Sequence, residues 1–246
     1  MIDKGIKVFK AIGDFDGNTI ISDDYLNDEF NRVADYGAIK PILYVKNPND
    51  CEEDNFSEII NFASNRDCVV ATHVSETLEN VGEIDKLHGL SPIGLLESYG
   101  LLDRKNILID CVYADKEDVQ LISNYETTIC TRPTTNLSDG YGIAPIYSFV
   151  KNNINVVVGG INSNHFKEVQ LVGDLQAGVL NEKSIINSKD LLNMYSHNAH
   201  NVFSEIGGVE VGLSADIVFV DTNKFNELTP LNVKMVMVNG RVVYTQ

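Results

Sequence analysis

Apolar runs and polar, turn-rich stretches alternate along the first two thirds of the chain, and the alternation predicts structure before any chemistry is considered. Strand-length apolar runs fall at residues 6–12, 39–45, 69–74, 106–112, 127–131 and 154–160. Runs that are apolar on both faces, separated by helical segments at roughly 30-residue spacing, are what a parallel sheet with helix-covered faces produces. A helix is predicted over 24–34. Phe56, Ile59, Ile60 and Ala63 fall at i, i+3, i+4 and i+7, which puts one apolar stripe on a second helix. Ser91 and Pro92 supply an N-cap and a first-turn proline, Leu95 and Leu96 face inward, and Gly100 serves as a C-cap,. Asp115 caps a short helix carrying Val119, Leu121 and Ile122. A long loop is predicted over 133–145, and a helix near 146–152.

Beyond residue 165 the pattern changes. Helices are predicted over 168–180 and 188–203, followed by apolar runs at 215–221 and 233–244. The last run is split by Asn239-Gly240, a strong signal for an antiparallel hairpin. The fold class is therefore α/β, with about six parallel strands in residues 1–205 and a C-terminal antiparallel β segment in residues 206–246.

Composition narrows the function classes. The chain has 246 residues, enough for a full core, and its 43% hydrophobic and 22% charged content is that of an ordinary globular protein,. A net charge of -16 repels phosphates and anionic headgroups, so neither nucleic acid nor a membrane surface is an expected partner,. No apolar run approaches the ~20 residues needed to cross a bilayer. Cys51, Cys68, Cys111 and Cys130 show no C-x-x-C spacing, and three of them lie in or beside apolar runs. They read as reduced core residues of a cytoplasmic protein.

The chemistry concentrates at residues 69–77, where an apolar strand delivers His73 and, three residues later, Glu76. Catalytic groups of α/β folds collect at such strand ends. Asp110 ends another strand. Burial beside Glu76 would disfavour charging both carboxyls, so a substrate-binding Asp110 is expected to have a raised pKa. Thr134, Thr135 and Asn136 could hydrogen-bond a small ligand. Gly159-Gly160 followed by Asn162-Ser163 lacks the lysine and spacing of a phosphate loop,. His197 and His200, three apart on a predicted helix, could form a metal pair, but a surface or capping role is the expectation.

Taken together, several of these stretches resemble the amidohydrolase superfamily, in its branch of methylthioadenosine/S-adenosylhomocysteine and guanine deaminases and related chlorohydrolases. The resemblance rests on His73-Val-Ser-Glu76-Thr77, on residues 92–103, and on Pro133-Thr-Thr-Asn-Leu137 with Gly142-Ile-Ala-Pro145. Residues 208–221 and the closing Val238-Asn239-Gly240-Arg241 complete it. It implies a (β/α)8 barrel of TIM type with a small composite β-sandwich. It also implies a metal held by a first-strand His-x-His pair, a fifth-strand histidine and an eighth-strand aspartate, with a glutamate shuttling protons. Zinc with an open position makes hydroxide near neutral pH, and a positioned carboxylic acid then protonates the departing amine.

By that resemblance His73 matches the fifth-strand metal ligand and Glu76 the proton shuttle. Asp110 stands where the sixth-strand motif carries histidine, residues 159–163 lack the ligand aspartate, and no His-x-His pair occurs among His73, His88, His165, His197 and His200. Counting back from His73, the sequence begins near the family's third strand. The expectation is a partial or distorted barrel, its two raw edges hidden by homo-oligomerisation or by a complementing N-terminal half. Catalytic roles are expected for Glu76 and Asp110, substrate binding for Thr134, Thr135 and Asn136, and a metal role for His73 only with further ligands. No cofactor is expected unless zinc or iron enters a site completed in trans. The function implied is weak or partner-dependent hydrolysis of non-peptide C–N bonds, or alternatively a catalytically inactive subunit that binds a purine-like or other small molecule.

Overall fold

The computed structural model describes residues 7–15, 22–34, 39–51, 53–160, 164–204 and 207–246. Ile6 of the first predicted strand, and Ile161, Asn162 and Ser163 of the stretch 159–163, lie outside them. Six strands form one all-parallel sheet in sequential order: β1 (Val8–Phe15), β2 (Ile39–Val45), β3 (Val70–Val74), β4 (Asn106–Asp110), β5 (Thr127–Thr131) and β6 (Asn155–Val158). The six predicted strands are thus all present. β1 and β6 each pair with one neighbour among the described residues.

Helices fill the crossovers: α1 (Asp23–Ala34), α2 (Glu53–Arg66), α3 (Leu78–His88), α4 (Pro92–Ser98), α5 (Lys116–Ile122), α6 (Pro133–Ser138), α7 (Ile146–Lys151), α8 (His165–Leu180) and α9 (Ser188–Tyr195). Local chemistry sets their starts. Ser91 Oγ accepts from Gly94 N at 3.0 Å, and Asp115 forms a capping box with Asp118,. The sequence expectation erred in three places. It had no helix at α3, which presents only one buried residue, Ile84, and so has little apolar stripe to read. It made 133–145 a loop, whereas Pro133 opens α6,. The helix predicted over 188–203 stops at Tyr195, and a 3-10 turn over His197–Asn201 follows.

The core lies between the sheet and its helices. Leu26, Leu43, Phe56, Ile59, Leu96, Leu108, Ile129 and Phe149 are fully buried there, each contributing about 2 kcal/mol of transfer free energy. A smaller cluster of Val69, Ala71, Ile107 and Val202 covers the opposite face, with Ile109, Cys130 and Phe203 packed against it. Strand alternation thus assigns His73 and Arg132, which share parity with Ala71 and Cys130, to this second face. The ring of Phe203 stacks on Phe9 with centroids 3.9 Å apart, so the segment after α9 shields part of β1.

A separate antiparallel sheet comprises β7 (Ile217–Val220), β8 (Val233–Val238) and β9 (Arg241–Thr245). The predicted hairpin turn is present, with φ of 50° at Asn239 and 73° at Gly240, as a primed turn requires. Asp216 ties this sheet to the segment entering β1: it pairs with Lys7 Nζ at 2.6 Å and accepts from the Gly207 and Asn239 amides at 2.8 Å each. Val218, Phe219, Val242 and Tyr244 remain exposed.

Candidate functional site

Three adjacent strands deliver the site. His73 is the penultimate residue of β3, Glu76 follows in the turn before α3, Asp110 ends β4, and Arg132 follows β5 directly. Thr77 fixes the turn by capping α3, accepting from Asn80 N at 3.1 Å. By alternation Asp110 should point with Val74 and Leu108 toward the helices. Its φ of 75°, with 50° at Ser75 and 48° at Cys111, redirects the strand ends so that its carboxylate meets His73 instead. Left-handed backbone at a non-glycine residue costs on the order of 1 kcal/mol, and such conformations concentrate at functional sites.

The four side chains form one compact network. His73 Nδ1 lies 2.8 Å from Asp110 Oδ2 and 2.9 Å from Glu76 Oε1. Carboxylate oxygens only accept, so Nδ1 carries a proton and donates to them. Tyr44 meets the imidazole edge-on at 5.9 Å between centroids. Arg132 donates through Nε to Asp110 Oδ1 at 3.0 Å and through Nη2 to Asp110 Oδ2 at 2.5 Å, a two-pronged grip, and Nη2 also reaches Glu76 Oε1 at 3.1 Å. The 3.2 Å approach of Nη2 to His73 Nδ1 brings two donors together and is not a bond,. Side-chain exposure is 0% for Asp110, 14% for His73, 18% for Glu76 and 21% for Arg132, so the network sits at the floor of an accessible rim.

These contacts set the charges. Burial alone would raise the Asp110 pKa, but hydrogen bonds from His73 and Arg132 outweigh it and hold Asp110 below the usual carboxylate value,. This corrects the expectation of a raised Asp110: that argument weighed Glu76 and omitted Arg132. For His73, burial acts to lower the pKa, yet hydrogen bonds to Asp110 and Glu76 win and raise it above 6.5. Burial pushes the neighbouring Cys130 thiol up to about 12, so it is no nucleophile,.

Arg132 joins this network although no sequence motif singles it out; like His73, it is a charged side chain where an apolar strand ends. Thr134, Thr135 and Asn136 lie in α6, just beyond Arg132. Buried Glu168 of α8 accepts from Thr134 N at 3.2 Å and fixes the start of that helix. Among the described residues none of their three side chains bonds to the network. Asn136 is buried, its carboxamide oxygen lacks a partner, and it faces Thr131, Gly142 and Gln176. His197 and His200 stack with centroids 6.3 Å apart in the 3-10 turn, with no third ligand beside them among the described residues. Gly159 has a packing reason, since a Cβ there would lie 2.8 Å from Cys130 Sγ.

His73, Glu76 and Asp110 offer three ligand atoms within 4.8 Å of one another, and no other such group occurs among the described residues. The donor types suit zinc or iron. Arg132 Nη2 already lies 2.5 Å from Asp110 Oδ2 and 3.1 Å from Glu76 Oε1, so its guanidinium competes with any metal for those oxygens, and with Nδ1 protonated the lone pair of a neutral His73 is on Nε2,. A separate cleft of 1490 Å³ between α8–α9 and the β7–β9 sheet, lined by His165, Phe166, Ser188, Tyr195 and Phe225, contains none of these four residues.

Comparison with known proteins accounts for the topology. Residues 23–243 match the sequence profile of the Amidohydrolase family. The 5-methylthioadenosine/S-adenosylhomocysteine deaminase of Dictyoglomus turgidum is 30% identical over 199 residues, covering 78% of this chain and 47% of that protein. The chain thus spans about half the length of the curated relatives it matches. An adenosine deaminase from Xanthomonas campestris with bound zinc superposes with a TM-score of 0.86 at 19% identity, over 98% of this chain and 61% of that one. A guanine deaminase from C. acetobutylicum with guanine in its active site gives 0.81 at 19% identity, over 99% and 67%. The six-stranded sheet is a partial (β/α) barrel. Among the described residues no helix is long and apolar enough to cross a membrane.

Proposed function

This chain belongs to the amidohydrolase family, and on that footing we propose that its strand-end network binds a small, purine-like molecule without hydrolysing it. One observation carries the reading: the residues that would have to perform metal-assisted hydrolysis are already engaged with Arg132. Hydrolysis needs an activated water and a carboxyl able to trade protons. Here Asp110 is locked by two prongs of a guanidinium and Glu76 shares its Oε1 between Arg132 and His73.

The same network suits recognition. The bonds within it use Glu76 Oε1 and Arg132 Nε and Nη2, which leaves Glu76 Oε2 as an acceptor and Arg132 Nη1 as a donor for a ligand. That pair complements a heterocycle edge that presents N–H next to a ring nitrogen or carbonyl. The relatives named for methylthioadenosine, S-adenosylhomocysteine and guanine make purines the first class to test. Thr134 and Thr135, which follow Arg132 in α6, would extend such a contact. The four free thiols are in keeping with a cytoplasmic setting,.

Calorimetric titration with methylthioadenosine, S-adenosylhomocysteine, adenosine and guanine, run beside an ultraviolet deamination assay, tests the reading. Saturable binding weakened by Glu76→Gln, without turnover, supports it. Turnover by the purified chain alone, abolished by Glu76→Gln, refutes it.

A second reading has its own observation, the single-neighbour strand β1 among the described residues, whereas β6 is met by Asn198 Nδ2, which donates to Val156 O at 2.7 Å. Exposed strand edges invite pairing with another chain, and a chain supplying further strands and metal ligands would make the protein a partner-dependent hydrolase. Deaminase activity that appears only on mixing with such a chain identifies this case.

A further inference from the structure

The charge cluster at the ends of β3, β4 and β5 contains its own cation. Nη2 of Arg132 stands 2.5 Å from Asp110 Oδ2 and 3.1 Å from Glu76 Oε1, and 3.2 Å from the nitrogen of His73 that faces both carboxylates. His73, Glu76 and Asp110 are also the residues whose ligand atoms cluster closely enough to hold a metal. We propose that Arg132 is the resident cation of this cluster, excluding divalent metal from it, and that removing the side chain turns His73, Glu76 and Asp110 into a single zinc site.

Three physical points carry the proposal. First, Asp110 is wholly buried, and a buried carboxylate without a counter-charge is costly, so some cation must accompany it,. A guanidinium meets that need in a fixed fork, Nε and Nη2 matching the two carboxylate oxygens, which a point charge cannot do,. Second, the guanidinium and a metal compete for the same atoms, because Nη2 stands 2.5 Å from Asp110 Oδ2 and 3.1 Å from Glu76 Oε1, the carboxylate oxygens that the ion would need. Third, the donor geometry left behind is close to that of a metal site. The Nδ1 to Oδ2 and Nδ1 to Oε1 separations of 2.8 and 2.9 Å need only open to about 3.4 Å, the ligand spacing of a tetrahedral zinc with bonds of about 2.1 Å. On entry the metal would displace the Nδ1 proton to solvent, freeing the nitrogen lone pair. A fourth position would be taken by water, since only three protein ligands converge.

This inference rests on the reading of the native cluster as metal-free. It is tested separately from nucleoside binding, since its readout is zinc stoichiometry. Chelator-treated wild type, Arg132→Ala, Arg132→Lys and Arg132→Ala/His73→Ala proteins are titrated with zinc by calorimetry and assayed for retained metal after desalting. The expected result is one equivalent of zinc on Arg132→Ala and none on the other three. One equivalent on wild type overturns the proposal, as does a folded Arg132→Ala protein that binds none. Should Arg132→Ala not fold, the side-chain Nε–H resonance of Arg132, assigned by its loss in Arg132→Lys, is followed in wild type during zinc addition. An unmoved resonance upholds the proposal, and its displacement by stoichiometric zinc overturns it.

Discussion

Replacing Arg132 by methionine tests whether the guanidinium stabilises the site or merely rests there. Methionine keeps much of the side chain's length and deletes the charge. Asp110, wholly buried, then keeps one charged neighbour, His73, while Glu76 keeps partial hydration. Breaking a buried pair by removing one partner costs about 3–5 kcal/mol, and the partly hydrated rim places this substitution at about 3 kcal/mol. That loss is a large part of the ~5–15 kcal/mol by which a domain is stable, yet leaves it folded. Urea unfolding of wild type, Arg132→Met, Asp110→Asn and the double variant closes a thermodynamic cycle. Because the Asp110→Asn carboxamide carries no charge to strand, the double variant should be more stable than the sum of single losses predicts, by at least ~1.5 kcal/mol. An Arg132→Met cost within about 0.5 kcal/mol of zero, or strict additivity, would refute the assignment of Arg132 as the counter-charge of Asp110.

Four further outcomes follow from the structure. His73 has a folded pKa raised above 6.5, so its contribution is fully present below that pH and is lost as pH rises through the folded value. Melting temperature should fall across this upper window, and His73→Gln should flatten the slope. Asp110 behaves in the opposite sense: its contribution is present above 3.8 and is lost as acid brings the pH through its lower folded value,. Ser91→Ala removes both the α4 cap and the 2.5 Å bond to Asp118 Oδ1. It should cost about 1–2 kcal/mol and, because burial already raises the Asp118 pKa while Ser91 opposes it, NMR titration should find that pKa higher still. Gly159→Ala forces a Cβ to 2.8 Å from Cys130 Sγ and should destabilise by about 1–3 kcal/mol. Thermal denaturation should show most of that loss recovered in Gly159→Ala/Cys130→Ala.

The family relationship and the site chemistry point in different directions, and the difference is local. A partial barrel retains the strand ends of β3, β4 and β5 on which this family's fold places side chains. Two of the three adjacent strand ends carry carboxylate or imidazole. The third carries a guanidinium that engages both oxygens of Asp110 and Oε1 of Glu76.

The element pattern was legible in sequence wherever burial imposes a period or a cap imposes a residue type. β2 through β6 are apolar on both faces because helices and the inner cluster cover them, and α2 and α4 announce themselves by an apolar stripe and by Ser91-Pro92. The hairpin of β8 and β9 follows from Asn239-Gly240, which few other residue pairs could replace at two positive φ values. α3 escaped because a helix lying largely in solvent needs no apolar face, and α6 because a one-and-a-half-turn helix leaves no periodicity to detect. For the site, His73, Glu76 and Asp110 were visible as polar residues ending apolar strands. Their chemistry was not, because it depends on distances across three strands. Whether Asp110 is raised or lowered turns on the left-handed backbone that swings it from the helix side to the inner side, and on an arginine 22 residues further along the chain that register brings within 2.5 Å. Sequence determines which groups are charged; only the packed sheet decides which charges meet.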